Sequence, residues 1–312
     1  MKHVQKIILF IIGTVLVITG IAGLVLPFIP GWVLIFVGIS FMEPEFAEKL
    51  KQWLHRKFSK RGIICFERKA LGPSPAHSGF TTKHFPIFLK KTDDLLKAEN
   101  QQLFQKLLSE NLVARSHGFA LASKFVFLDQ AHGGNIVILE EENDFKRDGF
   151  YRFLNADGVM TRIKGVMLLA MSADCLTVFF KARDWVGLVH AGWRGTREQI
   201  VKKMFLRVSE KAGCKPQEVG VSFGPCIRRD SYEVGTEFKT FFPKRSFREK
   251  GGKIYFDLAA ENKRQLVEAG ADREIMRDWG IDTFSESRDF HSFRKEKEAA
   301  DRMISFIMRT SL

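Results

Sequence analysis

Residues Met171–Thr196 read MSADCLTVFFKARDWVGLVHAGWRGT. Two apolar runs, Leu176–Phe180 and Trp185–Val189, are separated only by the charged stretch Lys181–Asp184, the pattern of neighbouring strands joined by a tight turn. Each run carries a metal-competent side chain at one end, Cys175 before the first and His190 after the second. Paired as a hairpin, the runs would bring a thiolate and an imidazole together, soft and borderline ligands suited to zinc. Gly192 and Gly195 bracket Trp193 and Arg194, a turn that could aim a guanidinium at an anionic or planar group. Spacing alone leaves the plainer reading open. A buried cysteine at a strand end is commonly a small hydrophobe, a lone histidine is commonly a hydrogen-bonded core residue, and this spacing is not a standard zinc pattern.

Around that hairpin the chain alternates irregularly between strand and helix signals. Strand character is predicted for Gly79–Phe88, Phe125–Leu128, Asn135–Leu139, Asp157–Thr161, Val166–Met171 and Val219–Phe223. Helical spacing is predicted for Asp93–Leu112, Arg197–Ala212, Phe256–Ala269 and a closing segment, Glu296–Met308. Interleaving without strict alternation predicts an α+β fold, a mixed β-sheet core surrounded by helices. His132 falls on a loop between two predicted strands, a common position for a functional group.

With 312 residues, 45% hydrophobic and 27% charged, the chain has the composition of an ordinary globular protein, unevenly distributed. Residues 7–42 hold no charged side chain. Ile7–Phe28 is long enough to span a bilayer as a helix, which takes ~20 residues. Pro27, Pro30 and Gly31 break it, and the shorter apolar run Trp32–Met42 follows. The expectation is a transmembrane helical hairpin retained in the mature chain; its apolar stretch is too long for a signal peptide, and no small-residue cleavage site precedes the second run. Glu45–Arg61 reads as a basic amphipathic juxtamembrane helix, with Phe46, Leu50, Trp53, Leu54 and Phe58 on one face. Residues 1–61 thus form one unit, 62–76 a linker and 77–312 an enzyme-sized domain.

The net charge of +13 includes lysines on both sides of the apolar region. Positive flanks on both sides predict that both ends face the cytoplasm, and anionic lipid is the natural partner for charge placed there. No arginine-rich stripe, zinc-finger spacing or aromatic-basic platform accompanies the charge, which argues against a nucleic-acid partner. The four cysteines, Cys65, Cys175, Cys214 and Cys226, have no paired spacing, as expected in a reducing compartment.

Several ordered motifs resemble those of the laccase-domain family, known as multicopper polyphenol oxidoreductases and as purine nucleoside phosphorylases, to which peptidoglycan editing factor belongs. ADCLTV and VHAGWRGT carry the resemblance at Ala173–Val178 and Val189–Thr196. HSGFTTK at His77–Lys83, QAHG at Gln130–Gly133, GPCIRRDSYEVG at Gly224–Gly235, Phe256–Leu266 and His291–Arg302 extend it. At the N-terminus, LPFIPGWVLIF at Leu26–Phe36 resembles the PGPGW family of bacterial transmembrane proteins, with Pro27 and Phe28 in place of the first Pro-Gly pair.

The resemblance implies a metal site on His132, Cys175 and His190, with Zn²⁺ the expected ion and Cu²⁺ the alternative. Three protein ligands leave a fourth position open, the arrangement of a catalytic site that activates water. It further implies phosphorolysis of adenosine, inosine and methylthioadenosine, with deamination of adenosine. Arg194 is the expected clamp for phosphate or base, with Lys83 and His84 as helpers and Asp174 as a group orienting a ligand. The family usually has arginine where this chain has Lys83, and often a Cys-Thr pair where it has Asp282 and Thr283. The competing expectation within the family is an amidase that edits peptidoglycan precursors by removing a wrong amino acid from UDP-MurNAc-amino acid. A laccase-type oxidase and a decayed membrane-tethered module are less favoured: the eight histidines are dispersed, and all three ligands are retained. The hairpin places the protein at the bacterial inner membrane, with the enzyme domain on the cytoplasmic side.

Overall fold

The chain divides into two compact units, residues 1–58 and 59–312. The computed structural model describes residues 63–66, 76–87, 89–113 and 122–309, all in the second unit. The expected hairpin at 7–42 and the juxtamembrane helix at 45–61 lie outside the described residues. Among those described, no helix is long and apolar enough to cross a membrane.

The strands, in chain order, begin with β1 (Ile63–Phe66), β2 (Ala76–Thr81), β3 (Lys124–Asp129), β4 (Ile136–Leu139) and β5 (Gly149–Leu154). They continue with β6 (Gly158–Thr161), β7 (Val166–Ser172), β8 (Leu176–Ala182), β9 (Trp185–Ala191) and β10 (Gly220–Phe223). The remaining strands are β11 (Glu233–Val234), β12 (Phe247–Lys250), β13 (Lys253–Phe256), β14 (Met276–Asp278) and β15 (Met303–Arg309). The α-helices are α1 (Ala98–Val113), α2 (Trp193–Arg197), α3 (Ile200–Ala212), α4 (Phe238–Phe241), α5 (Leu258–Glu268) and α6 (Phe293–Glu296).

Where one mixed sheet was expected, the described residues form two sheets of six strands, in the orders β1-β2-β15-β7-β3-β5 and β14-β10-β8-β9-β6-β4, and a small antiparallel sheet of three, β11-β13-β12. Both six-stranded sheets mix parallel and antiparallel pairs: β3 runs parallel to β5 and β7, whereas β15 is antiparallel to β2 and β7. The sheets pack on a shared core in which Phe80, Val126, Leu168 and Ile307 of the first meet Val159, Phe179, Val186 and Leu188 of the second. A buried Thr177–Ser305 hydroxyl pair at 2.9 Å joins β8 to β15 across that core, so neither polar group is left unpaired where water is excluded.

Helices cover the outer faces. Leu95 and Phe104 pack on Phe125, Met167 and Phe306 of the first sheet. On the second, α3 lays Ile200, Met204, Phe205 and Val208 against Val178, Phe180 and Val189. Every residue of β7, β8 and β9 is therefore buried, which is why these strands read as continuous apolar runs rather than alternating ones.

The predicted helix at Glu296–Met308 is corrected. Its C-terminal part is β15, inserted between β2 and β7. MISFIMR is apolar on both faces because both are covered, and periodicity cannot separate such a strand from a buried helix. The other departures are smaller. Ile63–Phe66, within the stretch read as linker, pairs with β2. The helix expected from Arg197 is split at Gln199, which sits at φ 58° between α2 and α3. The helix expected from Asp93 is a 3₁₀ turn, Thr92–Leu96, followed by α1.

Candidate metal centre and its cleft

Strand register builds the site. In the β8–β9 hairpin Thr177 pairs with His190 and Leu176 with Ala191, so Cys175, one residue before β8, comes level with Gly192. In the β6–β9 pair Gly158 faces Val189, which sets Asp157 beside His190, and the His190 N–H donates to the Asp157 carbonyl at 2.7 Å. His132 arrives from the turn after β3, at φ 60°. The centre is thereby drawn from both sheets: His132 follows a strand of the first, His190 ends a strand of the second, and Cys175 lies on the crossing from β7 to β8.

The ligand atoms of His132, Cys175 and His190 all lie within 4.8 Å of one another. The two imidazoles stand edge to face, with ring centroids 4.9 Å apart. His190 is buried, Cys175 half-buried and His132 exposed, so the centre opens to solvent on the His132 side. Gly192 makes room for it: a Cβ there would come 3.1 Å from Cys175 Sγ and 3.3 Å from His132 Cδ2.

Asp157, fully buried, organises the set. One of its carboxylate oxygens accepts from His132 N at 3.0 Å and faces His190 Nδ1 at 2.9 Å, and the other accepts from Gly133 N at 2.7 Å. These contacts support the left-handed turn at His132 and assign the Nδ1 proton of His190 to the hydrogen bond, leaving Nε2 as the ligand atom. The electrostatics follow from this proximity. Burial alone would push the Cys175 thiol up, but the facing His190, with hydrogen bonds from His132 and His190, brings it down to about 6. Burial likewise disfavours charge on His190, yet Cys175 and Asp157 outweigh it and raise the imidazole to about 9. Burial also opposes the Asp157 charge, and His190 with the Gly133 and His132 amides holds its carboxyl below the usual range. Two imidazole nitrogens and a thiolate, with the proton of one imidazole already engaged on a carboxylate, form a donor set that fits a divalent zinc or copper ion. Binding would displace any remaining ligand protons.

A cleft of about 540 Å³ runs from the centre. His132, Cys175 and His190 line it together with Met171, Phe293, Arg302, Lys90, Lys91 and Arg152. Arg152 bridges Asp93 and Asp129, each at 2.8 Å. Gln130, of the QAHG turn, is spent on the backbone of Met171 in both directions and ties the end of β3 to the end of β7.

The other residues singled out from the sequence stand elsewhere. Asp174, at φ 94°, accepts from Thr283 Oγ1 at 2.7 Å and from Arg294 N at 2.6 Å, anchoring the segment at Thr283 and the first turn of α6. Neither bond reaches a candidate ligand; the carboxylate that faces His190 is that of Asp157. Lys83 donates to the Ser287 carbonyl at 2.7 Å and pairs with Glu296, while His84 faces Asp289 at 2.9 Å. Neither lines the cleft. Arg194 is exposed on α2, its guanidinium 4.5 Å from the Trp193 ring, and does not line the cleft either. Burial, Cys175 and Asp174 push the Tyr232 hydroxyl above its ordinary range, against the opposing charges of Arg294 and Arg194.

Known proteins are similar to this chain in sequence and in fold. Residues 105–310 match the family described as multi-copper polyphenol oxidoreductase laccase. Residues 6–57 match the transmembrane-protein family PGPGW, which points to membrane association of the N-terminus. The purine nucleoside phosphorylase of Aquifex aeolicus is 29% identical over 198 residues, 64% of this chain and 89% of its own. The purine nucleoside phosphorylase YlmD of Bacillus subtilis is 29% identical over 244 residues, 74% of this chain and 87% of its own. The crystal structure of YlmD from Geobacillus stearothermophilus aligns with a TM-score of 0.63 at 28% identity, covering 76% of this chain and 93% of that one. The family match spans well over half of the sequence and takes in every strand from β3 to β15, so this chain belongs to the multi-copper polyphenol oxidoreductase laccase family.

Proposed function

We propose that the chain is a zinc-dependent purine nucleoside phosphorylase acting on adenosine, inosine and methylthioadenosine, with adenosine deamination as a second activity. The observation that carries this reading is the convergence of His132, Cys175 and His190 within 4.8 Å on the wall of a cleft, in a chain whose relatives bear the phosphorylase name. Zinc held by these residues would supply a Lewis acid and a water of lowered pKa. Asp157 fixes the tautomer of His190 and the turn at His132, so the donors are oriented before an ion arrives.

In phosphorolysis a phosphate oxygen bonds to C1′ as the C1′–N9 bond breaks. The electron pair leaves with the purine, which takes up a proton, and the pentose 1-phosphate remains. Arg194 is the residue proposed to hold phosphate; it is exposed and within electrostatic reach of Tyr232, which also senses Cys175. Lys83, already committed to Glu296 and Ser287, would hold the loop at 287–296. The N-terminal segment at 7–42 would anchor the enzyme in the bacterial inner membrane with the catalytic unit in the cytoplasm. Protease protection of that unit in inside-out vesicles would overturn this orientation.

The test is release of adenine and hypoxanthine from adenosine and inosine by the full chain loaded with zinc, with and without phosphate. Phosphate-dependent release that Cys175→Ala abolishes is the expected result. No base release from any of the three nucleosides, with zinc bound in stoichiometric amount, would refute it.

A further inference from the structure

Phe293 is one of few large apolar side chains in the described structure that stand in the open, at 42% exposure, and it alone of these lines the metal cleft. It begins α6, whose N-cap Ser292 is fully buried and accepts from Lys295 N, so the ring is carried by an anchored turn. The next residue fixes the turn from below: Arg294 N donates to Asp174 at 2.6 Å and its guanidinium donates to the Glu233 carbonyl at 2.7 Å. The Arg302 guanidinium stands over the Phe293 ring, 5.7 Å from its centroid, and is itself held by the carbonyls of Ala300 and Asp301 at 3.1 and 3.3 Å. An aromatic ring with a fixed cation against it thus lines the same cleft as His132, Cys175 and His190. It is a good platform for a planar ring.

We propose that Phe293 is a substrate-binding residue of this site, stacking the purine base of a nucleoside whose reacting atoms face His132, Cys175 and His190, with Arg302 holding the ring in place. The proposal rests on the phosphorylase reading for its substrate. It adds a cause for breadth of selection: a phenyl face offers no hydrogen-bond donor or acceptor, so it accepts any purine by its π-surface and does not separate a 6-amino from a 6-oxo group. Phe293 positions the base; it takes no part in bond making.

The experiment is calorimetric binding of adenosine and of inosine to the full zinc-loaded chain without phosphate, followed by steady-state kinetics. Phe293→Ala is expected to weaken both nucleosides about tenfold to hundredfold and by the same factor, the range for one base–aromatic stack. Phe293→Tyr restores binding, and zinc content and KM for phosphate stay at the wild-type values. Nucleoside binding by Phe293→Ala within twofold of wild type overturns the proposal. So does loss of zinc in Phe293→Ala that Phe293→Tyr fails to restore, since the residue would then be structural. Wild-type protein that binds purine nucleosides through Phe293 yet releases no base would refute phosphorolysis and leave this inference standing.

Discussion

Replacing Asp157 by asparagine preserves shape and removes one acceptor. The carboxylate serves three donors, His132 N, Gly133 N and His190 Nδ1, at 2.7 to 3.0 Å. An amide has one oxygen, so in its better orientation the NH₂ meets the Gly133 N–H head-on, and in the other it meets both His132 and His190. A buried donor left unpaired costs ~1–3 kcal/mol. Relief of that clash must move Gly133 and with it the left-handed turn that presents His132. His190 also loses the charge that fixes its tautomer. Loss of such an outer-shell partner typically lowers metal affinity about 10–100-fold, or ~1.4–2.8 kcal/mol. The assay is zinc competition against a chromophoric chelator at pH 7, with circular dichroism to verify the fold, and Asp174→Asn as the control. Asp174 holds Thr283 and Arg294 and is expected to affect stability while leaving zinc affinity near wild type. Zinc affinity in Asp157→Asn within twofold of wild type would refute the reasoning, as would an equal loss in the control.

Three further outcomes are expected. Gly192→Ala places a methyl 3.1 Å from Cys175 Sγ and 3.3 Å from His132 Cδ2; two ligands must move, so zinc affinity falls at least tenfold by the same competition while thermal stability changes little. Phe179→Ala empties a fully buried position between the sheets and costs ~3–5 kcal/mol in denaturant unfolding; a loss under 1 kcal/mol would mean the sheets are not packed as described. Burial opposes the Asp278 charge, but Arg228 and Lys263 hold the carboxyl down, from 3.8 to about 2. A carboxyl depressed in this way stabilises the fold above pH 4, and the benefit, ~2 kcal/mol, disappears as pH falls from about 4 through 2. Asp278→Asn should flatten the stability profile in that window, and an unchanged slope would assign the acid sensitivity elsewhere.

The β8–β9 hairpin was legible because its apolar runs, its charged turn and its flanking Cys175 and His190 lie within one short stretch. His132 was found only through its motif, since the contact that brings it to Cys175 joins separate loops. Asp157 went unnoticed for a related reason. Nothing local distinguishes an aspartate at the start of a strand, and its partner is fixed by the β6–β9 register, which sequence spacing does not state. Asp174 adjoins Cys175 in sequence and drew the orienting role for that reason, but its left-handed backbone turns the carboxylate toward Thr283 and Arg294. β15 was misread because a strand covered on both faces loses the alternation that marks a half-exposed one. Phe293 lies within the motif at His291–Arg302 but drew no role, since an exposed aromatic is informative only once the cleft beside it is known.

Because the three proposed ligands come from the two sheets and the crossing between them, no single hairpin of this chain can assemble them in advance. A newly made chain would have to dock one sheet on the other before it could hold an ion tightly, so loading would act as a final inspection step that passes only finished molecules. Stabilisation by a bound ion grows with its free concentration relative to its dissociation constant. Cells short of metal would therefore keep this protein in a shorter-lived form, and its abundance as well as its activity would follow the metal supply.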